Sequence, residues 1–100
     1  MTALELARSY GVIVRFAELG EWGAGQLRSE YDPSVPEIRL NFAHASRLAS
    51  LDFAEFVALA VGHELYHHRE AIREVAVLRD RSAREAAAAR YARELLERPS

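Results

Sequence analysis

Val61-Gly62-His63-Glu64-Leu65-Tyr66-His67-His68 is the stretch from which the rest of the chain can be read. It lies inside a run whose apolar residues recur at three and four positions, the spacing of one face of an α-helix. Residues four apart on such a helix sit one turn apart on the same side, so His63 and His67 can both address one ion. Glu64 projects about 100° further round the turn. Its carboxylate therefore stands beside such an ion rather than on it, placed to take a proton from a water that the ion activates. The bland alternative is a polar helix surface that happens to carry two His and a Glu. The fixed spacing of all three favours the ion.

Upstream, Asp52 can cap this helix, with Glu55 three residues later completing a capping box. Phe53, Phe56, Val57, Ala60, Val61, Glu64 and Leu65 then form the face that packs on a sheet. Gly62 in mid-helix costs up to about 1 kcal/mol relative to Ala, and either close approach of another backbone or chance explains such a residue. Downstream, Gly and Pro are absent between Gly62 and Pro99, so the helix either runs on or turns near Asp80 to Ser82.

A last helix is expected over about residues 83 to 98. Glu85, Ala88, Ala89, Ala92 and Leu96 share one of its faces, small and apolar except for Glu85. A carboxylate on an inward face needs a partner, and a metal ion is one. Ser82-Ala83-Arg84-Glu85 is equally a capping box, in which Glu85 reaches back to the Ser82 amide. The spacing leaves both readings open.

Before the central helix, residues 2 to 10 read as a short helix capped by Thr2 and stopped by Gly11. Val12 to Phe16 is β-branched and aromatic, a strand. Gly20, Gly23 and Gly25 mark turns around Trp22, and Gln26 to Tyr31 alternates as a second strand. Asp32-Pro33-Ser34-Val35-Pro36 is turn chemistry. Glu37 to Phe42 alternates as a third strand, with Ile38, Leu40 and Phe42 on one face. The expected fold is α+β: one helix, a three-stranded meander, then the two long helices.

The 100 residues, half of them hydrophobic, suit one domain over 1–100 with a real core. There is no Cys, so any metal has nitrogen and oxygen ligands. A net charge of −2 gives no argument for nucleic acid or an anionic membrane as partner. All thirteen basic residues are Arg, which bears on composition and not on function. No apolar run reaches the roughly 18 residues of a membrane span, and Met1 to Glu5 lacks a signal-peptide pattern. The expectation is a soluble cytoplasmic protein.

Taken together, these residues resemble the ImmA/IrrE metallopeptidase family, in the glutamate-zincin group that includes the single-domain minigluzincins. Leu6 to Val14 looks like the family's first helix ending in Gly and entering a strand. Gly25 to Tyr31 and Glu37 to Asn41 look like its next strands, and His63-Glu64-Leu65-Tyr66-His67 matches its metal helix. Glu85-x-x-Ala88-x-x-Tyr91-Ala92-x-x-Leu95-Leu96 is similar to its later helix, with Pro99 one position beyond the usual proline. Three departures stand out: Tyr66 where a small residue is common, Ala89 where Asn is common, and a chain that stops just after the glutamate helix.

The resemblance implies a minimal zincin domain that binds Zn²⁺ through His63, His67 and Glu85. It implies a zinc-dependent endopeptidase acting on a protein or peptide substrate, with Glu64 as general base. The alternative is a catalytically weak protein-interaction module in which zinc mainly fixes helix packing. A substrate strand is expected at a sheet edge, with Glu37 to Phe42 as that edge. The metzincin pattern is excluded, because it needs Gly at 70 and His at 73 where this chain has Glu70 and Arg73. Glu70 and Glu74, on the same helix as His67, are not expected on the ion. His68 is read as a surface or helix-end residue, with substrate contact as the alternative, and His44 as an exposed residue of the loop after the third strand. Tyr66 and Tyr91 are read as core aromatics or oxyanion donors.

Overall fold

Thr2 opens α1 (Ala3–Ser9) with a reciprocal cap, its hydroxyl accepting from the Glu5 amide and Glu5 accepting from the Thr2 amide, both at 3.1 Å. The computed structural model in which this is seen describes residues 1–19, 21, 22, 25, 26 and 28–98. Gly20, Gly23, Leu27 and Pro99, on which expectations were placed, lie outside the described residues. Gly11 ends the α1 turn at φ +75°, in the left-handed region that glycine enters without steric cost.

The chain then forms β1 (Ile13–Ala17), β2 (Glu21–Trp22), β3 (Gly25–Gln26), β4 (Ser29–Asp32) and β5 (Glu37–Asn41). Three helices follow: α2 (Phe42–Ala45), α3 (Ser50–Ala71) and α4 (Arg81–Glu97). The fold is α+β, with four helices among the described residues and a small mixed sheet of order β1-β5-β4. Beside it β2 and β3 form a two-stranded antiparallel ribbon. The expected second strand is thus divided, its start pairing with β2 and its end with β5.

The sheet is not a meander. β5 lies in the centre, antiparallel to β4 and parallel to β1, with Ile13 opposite Glu37 and Ala17 opposite Asn41. Parallel neighbours need a long connection, and residues 18–36 supply it. Glu37 to Phe42 is therefore not an edge. The edges are β1 and β4, and β4 is the one that packs against α3. A central strand is covered on both faces, which is why Glu37, Ile38, Leu40 and Asn41 are all buried. Phe42 leaves the strand to begin α2 and is half exposed, so it does not share the Ile38–Leu40 face.

Ile38 and Leu40 pack with Phe56, Ala60, Val61 and Leu65 of α3, and with Ala3, Ala7, Val12 and Leu95. The start of α3 differs from expectation. Its N-cap is Ala49, with no side-chain cap, and Asp52 and Glu55 are exposed. Its end comes at Ala71, followed by a non-helical connection in which Arg73 takes φ 65°. That left-handed turn reverses the chain at a cost of roughly 1–3 kcal/mol, offset by the packing of α4 back onto α3.

Asp80 caps α4, its Oδ2 accepting from the Ala83 amide at 3.0 Å. Ser82 consequently lies within the first turn, and the Ser82–Glu85 capping box does not form. The buried face of α4 is Ala88, Ala92 and Leu95, whereas Ala89, Leu96 and Glu85 itself are exposed, so Glu85 is not the inward carboxylate that the spacing suggested. Small residues on this face let the two helix backbones approach closely. A Cβ added at Gly62 would lie 2.9 Å from Ala92 Cα and 3.0 Å from Ala92 Cβ. The close approach expected at Gly62 is with α4. Among the described residues, no helix is long and apolar enough to cross a membrane.

Candidate metal centre

The seam between α3 and α4 brings His63, His67 and Glu85 together. Each offers one ligand atom, and the three atoms lie within 4.8 Å of one another. Glu85 Oε2 is 2.7 Å from His63 Nε2, and Glu85 Oε1 is 3.3 Å from His67 Nε2. The imidazoles stand edge to face, with centroids 5.2 Å apart, as one helical turn dictates. Two ring nitrogens and one carboxylate oxygen converging on a point fit the three-ligand set of a catalytic zinc site. Burial pushes the Glu85 carboxyl up, but His63 and His67 outweigh it and hold the group below the usual carboxylate range. An anionic oxygen is what such a site requires.

Glu64, next round the helix, is buried and lines the same cleft. Ser29 Oγ on β4 donates to Glu64 Oε2 at 2.7 Å and fixes the carboxylate from the sheet side. Burial raises the Glu64 carboxyl, with Ser29, His63 and His67 opposing, and the net direction is upward. A carboxylate shifted toward neutrality is a stronger proton acceptor than an exposed one.

The cleft measures about 870 Å³ and runs between β4 and α3 as far as His67, reaching the first turn of α4, with Ser29, Tyr31, His44 and Phe56 in its walls. Several residues stand differently from expectation. His44 belongs to α2, is half-buried, and packs edge-on to Phe56 at 4.8 Å. His68 is buried, with Nδ1 2.7 Å from the Tyr31 hydroxyl and its ring against Tyr10 and Tyr31. It is a core residue, not a surface one. Tyr66 and Tyr91 pack on each other at 5.8 Å, and neither is among the described residues that line the cleft.

Glu70 is the residue that the sequence reading undervalued. It is not a ligand, but its Oε1 lies 2.7 Å from His67 Nδ1, and Arg84 donates to both of its oxygens at 3.1 Å. Burial pushes the Glu70 carboxyl up, yet Arg84 and His67 bring it below its ordinary value. The three-residue spacing from His67 was the available signal, since such pairs share a helix face. Ser29 had no comparable signal, because its partner is far away in sequence. Glu74 lies past the end of α3 and accepts from the Tyr10 hydroxyl at 2.7 Å.

Comparison with protein-family models, with curated proteins and with solved structures finds no match to this chain.

Proposed function

We propose that this chain is a zinc-dependent peptidase domain of the glutamate-zincin type, as its resemblance to the ImmA/IrrE family implies. The observation that carries the reading is the meeting of His63, His67 and Glu85 at one point beside Glu64, in an open cleft. His63 Nε2, His67 Nε2 and the Glu85 carboxylate are the residues that hold the ion. Zn²⁺ supplies a Lewis acid there, lowering the pKa of water and polarising a peptide carbonyl. Glu64 takes the proton of the attacking water on its carboxylate and passes it to the leaving amine. Ser29 keeps that carboxylate turned toward the cleft. A protein or peptide substrate lies extended along β4, the strand at one end of the sheet order, whose residues line the cleft.

Glu64→Gln tests the reading. Glutamine keeps the shape but accepts no proton, so the variant should retain zinc and fold while cleaving a generic unfolded protein at least ~10²-fold more slowly. Equal rates in the two proteins contradict the general-base role. Zinc-loaded wild type that cleaves nothing favours instead an interaction module in which the ion fixes α3 against α4.

A further inference from the structure

We infer that Glu70 and Arg84 are a positioning pair for this centre, holding the His67 imidazole in the tautomer that leaves the Nε2 lone pair free for an ion shared with His63 and Glu85. The inference rests on the zinc reading for its purpose, but not for its geometry. The Glu70 side chain is 3% exposed, and its Oε1 is shared by His67 Nδ1 at 2.7 Å and Arg84 Nη2 at 3.1 Å. Arg84 Nε reaches the other oxygen at 3.1 Å, so the guanidinium grips the carboxylate with two parallel bonds.

A carboxylate kept ionised by a guanidinium accepts hydrogen bonds and has none to donate. A half-exposed Glu85 competes for the proton at Nε2, but the shorter contact to the buried Glu70 draws the proton of a neutral His67 to Nδ1 and leaves Nε2 with its lone pair. That nitrogen is the one 3.3 Å from Glu85 Oε1. Outer partners of this kind fix ring orientation and raise ligand basicity.

The pair also joins the two ligand-bearing helices. His67 and Glu70 belong to α3, while Arg84 directly precedes Glu85 on α4. One fork thus sets the imidazole and places the first turns of α4, which bring the carboxylate ligand. An ion pair serving stability alone has no need to share an oxygen with a ligand's ring.

The pair is tested in metal-free and zinc-titrated protein, independently of peptide cleavage. Two-bond ¹H–¹⁵N correlation spectra, which separate the two neutral tautomers directly, should show His67 of the metal-free wild type protonated on Nδ1. Glu70→Gln should populate the Nε2-protonated form and weaken zinc binding by roughly 10- to 100-fold in competition with a chromophoric chelator. Arg84→Lys, which keeps the charge and loses the fork, guards against misfolding of that variant and should weaken zinc binding in the same direction. A wild-type His67 protonated mainly on Nε2 overturns the inference. So does a folded Glu70→Gln variant that binds zinc within about two-fold of wild type. If the wild type binds no zinc, the peptidase reading fails while the tautomer still decides the pair.

Discussion

Glu85 and Asp80 divide two roles that the sequence of α4 offers to either end of one short segment. Asp80 caps the helix and Glu85 faces the imidazoles. Glu85→Gln should therefore weaken zinc affinity ten-fold or more, the order of magnitude for disturbing a metal site, with the metal-free melting temperature nearly unchanged. Asp80→Ala should do the reverse, lowering metal-free stability by about 0.5–2 kcal/mol with zinc affinity intact. Chelator competition and thermal melts on the same two variants check both, and a zinc-tight Glu85→Gln variant contradicts the ligand assignment. His63, Glu64 and His67 were legible because one helix fixes their relations by spacing alone. The role of Glu85 was not, since it depended on which residue starts α4. The Ile72-to-Asp80 connection settles that, through a left-handed Arg73 that no local propensity announces. Ser29 and Tyr31 were invisible as partners of Glu64 and His68 for a related reason. Alternation along a strand states which face a residue takes, not which distant side chain it meets.

Between elements, the α3–α4 seam is the contact that assembles the site, and Gly62 is where it is closest. Alanine there gains up to about 1 kcal/mol of helix propensity. Against that, its methyl would press on Ala92 Cα at 2.9 Å, a backbone atom that moves only if α4 moves. Overpacking of this kind costs about 1–3 kcal/mol, so the clash wins. Gly62→Ala should lower the denaturation midpoint, and displaced α4 should carry Glu85 away and weaken zinc binding as well. A variant as stable as wild type with unchanged zinc affinity contradicts this account of the seam. The helices and strands themselves were mostly legible, down to the Thr2 cap and the Gly11 stop. Strand partners were not. The sequence of β1 and β5 carries nothing to distinguish a parallel pair from neighbours in a meander, and the order emerged from the long connection between them.

At the scale of the molecule, the sheet is tied by a cluster of ion pairs. Arg39 binds Glu30, Asp32 and Glu37 together, and Arg15 also reaches Glu37. Arg15, and then Arg39, hold the Glu37 carboxyl below its ordinary 4.5, while Ser34, and then Arg39, hold Asp32 below 3.8. A carboxyl depressed in the fold stabilises above its unfolded value and loses that contribution as pH falls through the folded one. Metal-free stability should thus hold above those ordinary values and decline below them. Arg39→Met should make the decline shallower, and an unchanged acid slope in thermal melts contradicts the assignment. A zinc-binding centre predicts stabilisation of the whole fold by mass action, about 2.7 kcal/mol at a free Zn²⁺ concentration one hundred times its dissociation constant. Metal content measures most directly whether three side chains from two helices make one zinc site. Elemental analysis of the purified protein, dialysed without chelator, should give about one zinc per chain, as a site of two imidazoles and a carboxylate retains. Zinc well below half-occupancy, not restored by adding Zn²⁺, contradicts it.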